Sequence, residues 1–275
     1  MANLGLFFPN RVDNAIITGG SWLAALPVTN TGTRPIAQVS QSTNASTSST
    51  ILQYDLKASY ALRAFALKNH NLSSAALWRI KLGSTSGASD LYLGSWTNVW
   101  QLSGYDATFA ALGISDGEFL LNSFDAIQVM TSTISARYVT IEVDDNANSA
   151  GYIRIGRTLI AGGYIPTINA SYGLKDGWRD FSTLSRTDRG TVWFNARRRI
   201  RNVSFVMENL AASEAVTVHE FMRILGTVGE VLYVPDTTDM AYSQRYGFTG
   251  LLRELSQLEY PFYNSRSLPV SIEEV

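Results

Sequence analysis

Between Tyr138 and Val143, apolar Val139, Ile141 and Val143 alternate with Tyr138, Thr140 and Glu142. A period of two sends successive side chains to opposite faces of an extended chain, so this run predicts a strand with one buried and one outward face. The alternation resumes after Gly151, where Ile153 and Ile155 oppose Tyr152 and Arg154. Residues 144 to 151, rich in Asp, Asn, Ser and Gly, then read as the turn of a β-hairpin, because such side chains bond to nearby backbone and tolerate turn dihedrals. Gly156 breaks the second run and predicts a bulge.

Other short runs follow the same logic: Ile51 to Leu56, Leu62 to Leu67, Trp78 to Leu82, Tyr92 to Leu93 and Phe119 to Leu121, separated by turn clusters. Many short strands between turns indicate an all-β sandwich or barrel. The tract QVSQSTNASTSST at 38 to 50 reads as an exposed loop, and Gly162, Gly163, Pro166 and SYGLKDGW place a domain boundary near residue 170. Beyond it, TVWFNA and RNVSFVMENL predict a hairpin around an arginine run. One helix follows near 213–226, with Ala215, Val218, Met222 and Leu225 at helical spacing, Ser213 as its cap and Gly226 as its end. The expectation is a mainly β chain in two parts, residues 1–170 and 171–275, the second holding one helix.

Composition narrows the function classes. Charged residues make up only 16% of the 275 residues, against about 25% in an average protein, and net charge is −1. No global field draws the chain to nucleic acid or an anionic membrane. There is no cysteine, so disulfides and thiolate chemistry are excluded. The N-terminal MANLGLFFPNRVDNA lacks a signal-peptide pattern and no run approaches a membrane span, so neither secretion nor membrane insertion is expected.

The chemistry-bearing candidates each have a structural counterpart. Asp144, Asp145 and Asn146 offer oxygen ligands for Ca²⁺, but the loop lacks the ordered ligand spacing and terminal Glu of a Ca²⁺ hand. A solvated turn is the alternative, in which Asp145→Ala is nearly silent. HEFMR at 219 to 223 lacks the second histidine of the zinc-protease helix, GSTSG has Thr85 where a nucleophilic serine would stand, and no phosphate-binding glycine loop occurs. No enzyme is expected. Trp96, Asn98 and Trp100 in GSWTNVW suit two rings flanking a sugar, or anchors in a core or interface. Arg197, Arg198, Arg199 and Arg201 suit an interface with carboxylates of a neighbouring subunit. Arg79 and Arg157 interrupt apolar runs and predict structural clamps, with Asp55, Glu142 or a carbonyl as partner.

The stretches NRVDNAIITGGSWLAALPVTN, LKNHNLSSAALWRIKLGS and ARYVTIEVDDNANSAGYIRIGRTLI together resemble a family of virion proteins of tailed bacteriophages, over most of residues 8 to 165. The resemblance implies a jelly-roll β-sandwich similar to galactose-binding or discoidin-like modules over residues 1–170. From DFSTLSRTDRGTVWFNARRR to SIEEV the pattern is similar in outline to phage tail-tip components that build a ring, which implies a ring-forming assembly domain over 171–275. The implied function is a structural, non-enzymatic protein of a phage tail tip or baseplate. It would be made in the host bacterial cytoplasm and located in the virion, a homo-oligomer of three or six copies holding other tail proteins. The alternative is a carbohydrate-binding module contacting host-surface glycans.

Overall fold

The structure of the protein, a computed structural model, describes residues 3–101, 125–262 and 265–275. The run Phe119 to Leu121 lies outside them. The chain is mainly β and forms two compact units, Met1–Ile165 with Val234–Gly247, and Pro166–Tyr233 with Phe248–Val275.

In the first unit the strands are β1 (Gly5–Phe7), β2 (Ile16–Thr18), β3 (Ser40–Gln41), β4 (Leu52–His70), β5 (Leu77–Gly83), β6 (Tyr92–Leu93), β7 (Thr97–Asn98), β8 (Ala126–Asp144) and β9 (Arg154–Ala161). One antiparallel sheet runs β3-β9-β4-β8-β5-β6, with β2 also on β4 and β7 also on β5. The runs Ile51–Leu56 and Leu62–Leu67 are parts of the single strand β4, which like β8 has 19 residues. Both strands bend where their register slips, between Asp55 and Tyr60 and again between Leu62 and Ala64, and Lys57 there has a φ of 66°. Before the bend β4 pairs with β2 and the end of β8; after it, with β9 and the start of β8. Strands that bend in this way turn sandwich corners, and the sheet folds on itself into two layers of the jelly-roll type.

Leu52, Trp78, Ile80 and Ile141 of one layer share a single core with Phe65, Leu67, Ile155 and Ile160 of the other. Tyr54 crosses this core, donating its hydroxyl to Thr158 Oγ1 at 2.8 Å. Burial pushes the Tyr54 phenol up to about 12, so it remains a neutral donor. The alternation from 138 to 143 sets the facing as its period requires, with Val139, Ile141 and Val143 on the core side and Tyr138, Thr140 and Glu142 on the other, but Thr140 and Glu142 are buried on that side too, at 4% and 8% exposure.

Two expectations fail here. β8 and β9 do not form a hairpin, because β4 lies between them in the sheet and the Asp-rich turn instead crosses from one layer to the other. Nor is there an extra residue at Gly156, since the β4–β9 register is the same on both sides of it, Lys68↔Arg157 and His70↔Ile155, although the pairing lapses at Gly156 itself, opposite Asn69 with its φ of 52°. A Cβ at Gly156 would stand 2.6 Å from the Ile36 carbonyl oxygen, so the glycine permits a close approach of backbone.

The second unit contains β10 (Lys175–Arg179), β11 (Thr183–Arg186), β12 (Val192–Asn195), β13 (Ile200–Met207), helix α1 (Ala212–Leu225), β14 (Glu230–Val234), β15 (Phe248–Leu252), β16 (Glu259–Phe262) and β17 (Ser265–Glu274). Its sheet runs β14-β15-β17-β13-β10, with β16 also on β17. The short helix α2 (Met240–Tyr246) belongs to the first unit. The expected hairpin around the arginine run is absent: β12 pairs with β11, and β13 pairs with β10. β11 and β12 therefore form a separate ribbon inserted between two paired strands. Helix α1 buries Ala215, Val218, Phe221, Met222 and Leu225 and ends at Gly226, whose φ is 54°. Its N-cap is Ala211 rather than Ser213; the Glu214 carboxylate accepts the Ala211 N–H at 3.3 Å and the Thr167 N–H at 2.8 Å.

Candidate functional site

Polar side chains gather on the outward face of the layer made by β2, β4, β8 and β5. Register aligns them in rows: Ile16, Asp55, Tyr138 and Gly83 in one, Thr18, Gln53, Thr140 and Lys81 in the next, Glu142 beside Arg79 in a third. Arg137 forks onto Asp55 through two hydrogen bonds of 2.7 and 2.8 Å, and these bonds hold the Asp55 carboxyl below the ordinary carboxylate range. Between the first two rows, Ser86 and Gly87 of the loop after β5 help enclose a recess of about 260 Å³ lined also by Gln53, Asp55, Tyr138 and Thr140.

The strip continues through an ion cluster. Burial raises the Glu142 carboxyl, but bonds from Lys81, at 2.6 Å, and from Arg79 outweigh it, and the group stays ionised below its usual range. The Arg79 guanidinium lies 4.6 Å from the centre of the Trp96 ring, so an aromatic face closes this end. Arg79 is thus a clamp on Glu142, as its position in the sequence suggested. Arg157, whose side chain is 1% exposed, is a clamp on the Gly32 carbonyl and on Asp13. An amide, hydroxyls, an ammonium and ionised carboxylates, fixed on a rigid sheet beside aromatic rings, suit a ligand whose neighbouring groups each donate and accept.

The Asp-rich turn is exposed over Asn146, Ala147, Ser149, Ala150 and Gly151, as a solvated turn should be, but two of its polar side chains, Asp145 and Asn148, turn inward and are buried. Asp145 is 3% exposed and accepts from the Ser73 hydroxyl, the Ser73 N–H at 2.9 Å and the Asn148 amide at 2.7 Å. Asn148 also donates to the Asn71 carbonyl at 2.8 Å, and Asn71 Oδ1 accepts the Arg154 N–H at 2.6 Å. These side chains tie the crossing to the Asn71–Ser73 segment and pair its buried polar groups within the chain. Of the three proposed Ca²⁺ ligands, Asp145 turns inward to protein donors, while Asp144 accepts from the Asn146 amide at 2.6 Å. Among the described residues no three or more His, Asp or Glu side chains cluster as a metal site.

The tryptophan pair separates. Trp100 is 7% exposed, donates its indole N–H to the Ser73 carbonyl at 2.7 Å and packs 5.3 Å from the His70 ring, so it cannot flank a sugar with Trp96. Asn98 is exposed and accepts the Trp100 N–H at 2.7 Å. In the arginine run, Arg198 and Arg201 both grip Glu274 of the same unit, at 2.8 and 3.0 Å, and Arg199 lies 3.4 Å from Asp180. The partners expected on a neighbouring subunit are thus found within the chain for these three. Sequence reasoning did not single out Gln53, Asp55, Tyr138 and Lys81 as one polar face; the signal was the polar half of the alternation in adjacent strands.

No family model and no curated protein sequence matches the chain. Among solved structures it is similar to the family 32 carbohydrate-binding module of NanJ from Clostridium perfringens in complex with galactose, at 11% identity and a TM-score of 0.39, over 56% of this chain and 98% of that one. It is also similar to the lectin-binding domain of lectinolysin complexed with Lewis b, at 12% identity and a TM-score of 0.38, over 56% and 96%. A third is the module CBM32-1 from a family 31 glycoside hydrolase of Clostridium perfringens, at 11% identity and 0.33, over 54% and 94%. Likeness this low says nothing of the ligand of this chain. No helix among the described residues is long and apolar enough to cross a membrane.

Proposed function

We propose that the first unit is a non-catalytic glycan-binding module whose ligand lies on the outward face of β2, β4, β8 and β5. The observation that carries this reading is the recess over Gln53, Asp55, Tyr138 and Thr140, continuous in register with Lys81 and Glu142. Vicinal sugar hydroxyls donate and accept, and such rows answer both needs. Tyr138 offers a ring beside the recess and Trp96 another beyond Arg79. The recess, smaller than the ~300–1,000 Å³ of typical small-molecule pockets, suits one sugar ring, with further units running toward Trp96.

A glycan array probed with the wild type and with a Gln53→Ala, Tyr138→Ala double variant tests this, with and without Ca²⁺. Galactose and Lewis b, bound in the structures named above, are suitable first probes. Binding weakened at least about 10-fold by the double variant is expected, equivalent to ~1.4 kcal/mol. A wild type that binds no glycan in either condition ends the reading.

A second reading, a structural protein of a bacteriophage tail tip or baseplate, draws on the resemblance and on one observation in the second unit. Leu184, Trp193 and Phe194 of the β11–β12 ribbon are 75%, 65% and 73% exposed, as suits a surface made to be covered in an assembly. Mass spectrometry of purified phage particles encoding the chain tests it; absence from the particles would exclude a virion role.

A further inference from the structure

The β11–β12 ribbon pairs only with itself, Leu184 opposite Phe194 and Arg186 opposite Val192. These four side chains share one face, and Trp193 stands on the other. A lone two-stranded ribbon is marginal in water, yet this one displays apolar residues on both faces. Aromatic side chains cover about 150–250 Å² each when buried, so the face of Leu184, Phe194 and Val192 exposes roughly 300–400 Å² of apolar surface, and Trp193 adds to the opposite face. A stable interface buries about 800 Å² per partner, somewhat more than half of it apolar. One face of the ribbon provides most of that apolar share, and Trp193 on the other the remainder.

The same unit carries a receptor of matching character. Between helix α1 and residues 255–258 lies a groove of about 560 Å³, with Val218, Met222 and Leu268 buried at its base and Leu255 and Tyr260 exposed at its rim. No residue of the ribbon lines it. Charge agrees with shape. Arg186 and Arg189 at the ribbon end, and Glu254 beside the groove, have no ion-pair partner among the described residues. Arg223 at the groove is already neutralised by Glu220 at 2.6 Å.

We propose that copies of this chain join head to tail, the β11–β12 ribbon of one copy seated in the groove beside α1 of the next. Donor and receptor are different surfaces, so each copy uses both and the contacts propagate into a closed ring or an open filament. Copies can associate in this way whether or not the protein sits in a virion, and the recess of the first unit takes no part.

Sedimentation of the full chain over a concentration series, with Phe194→Asp, with Leu255→Asp and with a mixture of the two, tests the pairing. Both residues are exposed, and melting curves matching the wild type verify that the variants fold. The wild type should form oligomers, and each variant alone should associate at least about 100-fold more weakly. The mixture should stop at a one-to-one dimer, because Leu255→Asp keeps its ribbon and Phe194→Asp keeps its groove. A wild type that stays monomeric, a Leu255→Asp variant that associates like the wild type, or a mixture without dimer each overturns the proposal.

Discussion

The Asp-rich crossing of the first unit and the β11–β12 ribbon of the second invert the usual distribution of polarity. In the first, Asp145 and Asn148 are buried; in the second, Leu184 and Phe194 lie in solvent. The inversions are closed differently. Asp145 meets three donors from its own chain, so this buried carboxylate is satisfied within one molecule. The ribbon keeps Leu184, Trp193 and Phe194 largely exposed, and a second copy of the chain is the cover proposed for them. Buried polarity here reads as architecture, and the exposed apolarity is what the proposed contact between copies would explain.

The largest effect should fall on the packing around the crossing. Trp100→Ala removes a buried ring and its bond to the Ser73 carbonyl and should cost about 3–5 kcal/mol in denaturant unfolding, whereas Trp96→Ala should cost under about 1 kcal/mol. Equal costs would break the distinction between a core ring and a surface ring. Asp145→Ala leaves Ser73 and Asn148 donors unsatisfied and should cost about 3 kcal/mol, with a matching fall in melting temperature. A silent Asp145→Ala would restore the solvated turn.

A smaller, pH-dependent effect belongs to Glu142. Its carboxyl is held below the usual range in the folded state, so the stabilisation is present above the unfolded carboxylate value of about 4.3 and is lost as pH falls through the folded value. Melting temperature followed from pH 7 downward should decline in this acid limb, and Glu142→Gln should flatten part of the decline. Smallest of all, Phe194→Ser should change monomer stability by no more than ~0.5 kcal/mol in chemical unfolding at low concentration. A large loss would mean that the ribbon packs within its own chain.

Local patterns made the strands and α1 legible, because a period of two or of 3.6 is written in neighbouring residues. The alternation at 138 to 143 separated the core side of β8 from the side that carries Tyr138, Thr140 and Glu142, although only the core half was used. Partner choice between strands was not legible. Nothing near Val143 or Ile155 reveals that β4 intervenes, since that depends on a bend some 90 residues earlier, around Lys57. For the same reason the sequence did not show that Asp145, in an otherwise exposed turn, bonds inward to Ser73, 72 residues away. The arginine run showed its chemistry but not its address, because Glu274 is 73 residues from Arg201.

The most direct test of the glycan face is a backbone amide chemical-shift map of the wild-type protein titrated with the strongest sugar from the array. Shifts clustered at Gln53, Asp55, Tyr138, Thr140 and Lys81, and abolished by Gln53→Ala with Tyr138→Ala, are the expected result. Shifts confined to the 144–148 loop or to the second unit, or none at saturating sugar, would contradict it.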